Sequence, residues 1–157
     1  MEVSWLHLLP LLPLIGAAVC GLVGKWLPKG WVYAVALSSV LLSFLVGLRA
    51  FSGLGEDIRL FHQLAFNWFS AGPLRVDMAF TLDRLSGALT LVVTGVGFLI
   101  HVYSVGYMDE DPAYWRYFAY LNLFIAAMLT LILGDNLVAM FVGWEGVGLC
   151  SYLLIGF

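Results

Sequence analysis

The sequence predicts an all-α integral membrane protein of about five transmembrane helices, with an extramembrane β-hairpin between the second and third. Three observations predict it. Of 157 residues, 62% are hydrophobic and 11% are charged, against about 25% charged in soluble domains. Mean hydropathy is +0.98. The apolar residues gather into runs long enough to cross a hydrocarbon core about 30 Å thick. One connecting segment alternates with a period of two instead.

Residues 6–24 form the first predicted span. Pro10 and Pro13 are tolerable there if neighbouring groups satisfy the carbonyls they free. The tail before it carries Glu2 and no Lys or Arg, unlike the positive start of a cleaved signal. Lys25 and Lys29 flank a Pro28-Lys29-Gly30 turn. Residues 31–48 form the second span, with Trp31 and Tyr33 at an interface end and Arg49 closing it.

The hairpin occupies about 64–82. Leu74, Val76, Met78, Phe80 and Leu82 alternate with Arg75, Asp77, Ala79, Thr81 and Asp83, and Leu64, Phe66 and Trp68 alternate less cleanly. Ser70-Ala71-Gly72-Pro73 supplies the turn. The hairpin's charges read as solvated. Residues 85–108 form the third span, interrupted by His101. The acidic loop Asp109-Glu110-Asp111-Pro112 lacks calcium-site spacing. An aromatic and basic girdle, Tyr114-Trp115-Arg116-Tyr117, precedes the fourth span at 117–133. Gly134-Asp135-Asn136 turns into the fifth, 136–157.

Net charge is −3 and no basic cluster occurs, which argues against nucleic acid as a partner. Cys20 and Cys150 lie inside apolar runs and read as packing residues. His7, His62 and His101 form no ligand pair, so no metal site is expected.

Glu145 is the candidate for chemistry. It lies about 15 Å into the fifth span, where a carboxylate costs several kcal/mol unless it faces protein or water. That makes it a candidate proton-transfer group, the bland alternative being a structural acid bonded to a neighbouring helix. Its partner would be a buried Lys or Arg, and none of the seven in this chain lies deep in an apolar run. Gly143, Gly146 and Gly148 would let another helix approach closely around it. His101 is a second candidate, for a proton path with Ser104 and Tyr107 taken to share its face, although its place near a helix end equally suits an interfacial structural role. Lys25 and Lys29 in the first loop place that loop in the cytoplasm and the N-terminus outside; Arg59 and Arg75 weigh against this.

Two blocks carry a family resemblance: Gly95-Val-Gly-Phe-Leu-Ile-His-Val-Tyr-Ser-Val-Gly-Tyr-Met108, and Gly143-Trp-Glu-Gly-Val-Gly-Leu-Cys-Ser-Tyr-Leu-Leu-Ile-Gly-Phe157. With Phe118-Ala-Tyr-Leu-Asn-Leu-Phe-Ile-Ala-Ala-Met128, the chain resembles the antiporter-like membrane subunits of respiratory complex I, NADH:quinone oxidoreductase, of the NuoL type. The resemblance covers essentially the whole chain, but only the family's N-terminal part. It implies that residues 1–157 are the N-terminal membrane segment of a larger proton-translocating subunit in a bacterial cytoplasmic membrane. It also implies that Glu145 pairs with a lysine two helices further on. NADH, FMN, iron–sulfur clusters and quinone are expected on partner subunits. This chain has no glycine fingerprint or cysteine cluster for a cofactor. Two rival expectations are the large subunit of a multi-subunit sodium/proton antiporter and a helical scaffold with no transport role.

Overall fold

The computed structural model describes residues 2–55, 60–72 and 74–157; Arg59 and Pro73 lie outside them. Five helices alternate with short connections: α1 (Leu8–Val23), α2 (Lys29–Ser52), α3 (Arg84–Tyr107), α4 (Tyr114–Leu133) and α5 (Leu137–Ile155). Strands β1 (Phe61–Ala71) and β2 (Leu74–Leu82) form an antiparallel hairpin between α2 and α3. All five helices are long and apolar enough to cross a membrane.

Local chemistry sets the boundaries. A 3₁₀ turn, Gly24–Trp26, ends α1, and Pro28 sits at the N-cap of α2 in extended conformation. The break therefore falls before Lys29, and Gly30 is helical rather than part of a turn. Proline suits a helix start, where its missing N–H would be unpaired anyway. The N-cap of α3 is Asp83, whose carboxylate accepts from the Ser86 backbone N–H while the Ser86 hydroxyl accepts from Asp83 N–H, a capping box.

Pro13 lies inside α1. With no N–H at residue 13, the Leu9 carbonyl four residues back loses its helical donor. Ser43 of α2 supplies one, its hydroxyl donating to Leu9 O at 2.8 Å.

Helices α1 to α4 surround a common core, and α5 packs mainly on α4. At one end of the bundle Leu6, Leu9, Ala50, Phe61, Phe80, Leu82 and Leu133 join the helices to the hairpin. At the other, Cys20, Val32, Ala36, Met108, Tyr114 and Phe118 pack together. The hairpin has register shifts at Leu64/Phe66 and Asn67/Phe69, and these bulges explain the weak alternation of β1. Its inner residues Val76, Phe80 and Leu82 are buried, whereas Phe66, Trp68 and Phe69 stay exposed.

Candidate functional site

The hairpin fixes the start of α5. Asp135 N–H donates to Ala79 O at 3.1 Å, and Asn136 Nδ2 donates to Asp77 O at 2.7 Å. Asn136 Oδ1 meanwhile accepts from Val138 and Ala139 N–H, capping the helix. Asp135 also bonds the Thr81 hydroxyl and lies 3.5 Å from His62 Nε2. At the next residue, Leu137, α5 begins, and it carries Glu145 about 12 Å along the axis, well inside the span.

One side of α5 is sealed against α4. A Cβ added at Gly143 would lie 2.4 Å from Leu131 N, and one at Gly146 would lie 3.0 Å from Ala127 Cβ. These two glycines thus admit α4 rather than a helix around the acid. Glu145 stands about 200° round the helix from Gly143 and is exposed, on one strip with Leu149 and Tyr152. Gly148 is open on that side. Only 17% of the α5 span is buried, against 28–39% in the others. Among the described residues Glu145 makes no hydrogen bond or ion pair.

His101 lies elsewhere, inside the α1–α4 core and fully buried. Its Nδ1 is 2.7 Å from Gly97 O. Its Nε2 is 3.1 Å from Asn122 Nδ2, which also donates to Phe118 O at 3.0 Å. Asn122 Oδ1 accepts from Ser39 Oγ at 2.6 Å. Ser104 is buried one turn from His101 but bonds the Tyr117 hydroxyl at 3.2 Å. Tyr107 does not share that face: it is exposed and stacks on Tyr103, because six residues carry a side chain about 240° around a helix. The structure thus brings His101 near Ser104 and leaves Glu145 on a separate surface. Sequence reasoning missed Asn122 and Ser39; a carboxamide about 12 Å inside α4 was the available signal.

Two further charged contacts among the described residues lie outside both places. Lys29 pairs with Asp109 across the far end of the bundle. Arg75 and Asn67 bond Asp77, whose carboxyl is held below its usual range, chiefly by the Asn67 hydrogen bond. No group of three His, Cys, Asp or Glu among the described residues is placed to hold a metal.

Residues 68–118 match the family described as NADH-Ubiquinone oxidoreductase (complex I), chain 5 N-terminus. The chain is 50% identical over 157 residues to NADH-quinone oxidoreductase subunit L of Mycobacterium tuberculosis strain H37Rv, covering 98% of this chain and 24% of that protein. It is 44% identical over 159 residues to subunit L of Escherichia coli K12, covering 98% and 25%. The structure of the Mrp complex from a Dietzia species contains a chain matching 97% of this one with a TM-score of 0.75 and 25% identity, over 16% of its own length. The chain therefore spans about a quarter of the length of the curated relatives it matches. Along nearly all of its length the chain is similar in sequence to the N-terminal part of NADH-quinone oxidoreductase subunit L, and in fold to the Mrp protein.

Proposed function

We propose that this chain is the N-terminal membrane segment of a proton-translocating subunit of NADH:quinone oxidoreductase, coupling quinone reduction to proton transport through Glu145. The observation that carries the reading is the placement of that carboxylate. It is mid-span, on a rigid helix anchored by the hairpin and sealed on one side by α4, with its own strip uncovered. A carboxylate at that depth needs a protein or water partner. The exposed strip of α5 is where a helix bearing a lysine, beyond these residues, would meet it. Opposite charges in a low-dielectric interior interact by several kcal/mol, so joining or separating them changes which group holds a proton.

His101 and Ser104 are proposed as a second, internal stretch of proton path, on the polar side chains in the α1–α4 core. The complex acts as a translocase. Its NADH, FMN, iron–sulfur and quinone chemistry belongs to partner subunits, and this chain's partners are the other membrane-arm subunits and the lipid bilayer. The chain belongs in a bacterial cytoplasmic membrane with its N-terminus and hairpin outside, on the reasoning that Lys25 and Lys29 lie at the opposite end of the bundle.

The test is Glu145→Gln in the intact complex in sealed vesicles, with proton uptake measured against NADH oxidation. A lower ratio, or slowed turnover limited by pumping, supports the proposal. A normal ratio at a normal rate overturns it and leaves a helical scaffold. The likeness to the Mrp protein favours one second reading, a sodium/proton antiporter subunit, which predicts sodium-dependent proton movement without NADH.

A further inference from the structure

Ser39, Asn122 and His101 come from three helices and are each at most 8% exposed. No carboxylate, Lys or Arg bonds the cluster among the described residues. Around it, α4 contributes the Phe118 ring, 6.1 Å from the imidazole centre, and α1 contributes Gly16. One turn along α3 from His101, Ser104 bonds the titratable Tyr117 of α4.

The hydrogen bonds define one arrangement. Gly97 O can only accept, so Nδ1 of His101 carries the hydrogen. Phe118 O can only accept, so the nitrogen of the Asn122 amide faces it. That same nitrogen faces Nε2, which must therefore offer its lone pair. The amide oxygen then points to Ser39 Oγ, whose single hydrogen serves it. Ser39 Oγ also lies 2.9 Å from Ala36 O, a second acceptor for that hydrogen.

We propose that Asn122 is a positioning residue that, beside Gly97 O on Nδ1, holds Nε2 of neutral His101 as an acceptor and turns over when the ring takes a proton. A proton on Nε2 would face the Nδ2 hydrogens and be repelled. Rotating the amide by half a turn removes the conflict. Oδ1 then accepts from Nε2–H, Nδ2 donates to Ser39 Oγ, and the Ser39 hydroxyl swings to Ala36 O. The hydrogen bond to Phe118 O is lost and that carbonyl is left facing Oδ1, a cost set against the charge-assisted bond gained at Nε2. The three side chains thus have two discrete arrangements, selected by a single proton. The only covalent change is the Nε2–H bond, formed when the proton arrives and broken when it leaves as the amide turns back.

Gly16 is part of the device. A Cβ there would lie 2.4 Å from Ser39 Oγ and 2.8 Å from Asn122 Oδ1, so only glycine leaves room for the pair.

The geometry stands without the proton-translocation reading; its use in transport rests on that reading. The test is nitrogen-15 solid-state NMR of labelled histidine in the full-length subunit, assembled in its complex in liposomes, with His101 assigned by its loss in His101→Gln. The wild type is expected to show a hydrogen on Nδ1 and a bare Nε2. Asn122→Leu is expected to keep the hydrogen on Nδ1, still held by Gly97 O, but to shift the Nε2 resonance as it loses the Asn122 donor, as is Gly16→Ala, which does not touch the ring. A wild-type ring with its hydrogen on Nε2, or an unchanged spectrum in both variants, would overturn the lock. Proton uptake per NADH, read in the same variants, separates the two claims. A shifted Nε2 resonance with normal uptake overturns the role in transport. Normal uptake in Glu145→Gln with the tautomers as expected removes the Glu145 reading and leaves the lock standing.

Discussion

Ser43→Ala is the sharpest probe of how α1 tolerates Pro13. In the native helix the Leu9 carbonyl lacks the residue-13 N–H and accepts instead from the Ser43 hydroxyl at 2.8 Å, and Ser43 is fully buried. Truncation removes one oxygen atom and opens almost no cavity, so its cost is that of the orphaned carbonyl. A buried polar group left unsatisfied costs about 1–3 kcal/mol, while interhelical hydrogen bonds in membranes have measured up to about 1.7 kcal/mol. The overlap predicts a loss of about 1–2 kcal/mol. Pro13→Ala restores an N–H at residue 13, which can donate to Leu9 O as in any helix. In that background Ser43→Ala should cost less than about 0.5 kcal/mol, giving a coupling of about 1 kcal/mol. Equilibrium unfolding of the full-length subunit in mixed micelles, for the four members of the cycle, measures it. Equal costs of Ser43→Ala in both backgrounds would refute the reasoning.

Two further predictions concern the supports of the site. Gly143→Ala places a methyl 2.4 Å from backbone nitrogen of Leu131; overpacking against a backbone that cannot rotate away should destabilise the α4–α5 contact by about 1–3 kcal/mol, read as earlier thermal dissociation of the complex. Asp83→Ala removes the carboxylate half of the α3 capping box, leaving the residue-83 N–H on Ser86 Oγ, and should cost about 1 kcal/mol in the same micelle unfolding assay. Acid should reproduce the Asp83 loss. Hydrogen bonds from the Ser86 N–H and hydroxyl hold the folded Asp83 carboxyl below its ordinary value, which is near 4. Its stabilisation is therefore fully present above about pH 4 and fades as pH falls through the lower folded value, a slope that Asp83→Ala should lack.

Much of the fold was legible because lipid imposes simple rules. A run of apolar residues of membrane length has few alternatives to a helix, and the clean alternation from Leu74 to Leu82 has few alternatives to a strand. The depth of Glu145 followed from counting residues. Which side of α5 would be sealed did not, because Gly143, Gly146 and Gly148 look equivalent in sequence. Only packing distinguishes the two that meet Leu131 and Ala127 from the one left open. His101 was visible as a polar interruption, but its burial was not, since distance from a helix end says nothing about neighbours across the bundle. The partners Asn122 and Ser39 lie 83 residues apart in the chain, and Ser43 reaches Leu9 from 34 residues away. Such pairings depend on helix rotation and crossing, which an apolar sequence leaves weakly specified.

The most direct measurement of the central claim is the proton-to-NADH ratio of the Glu145→Gln complex in sealed vesicles, taken beside a check that the complex assembles and oxidises NADH. The account predicts an assembled complex whose ratio falls, or whose oxidation slows while membrane leak restores it. An assembled complex with an unchanged ratio and rate would contradict it.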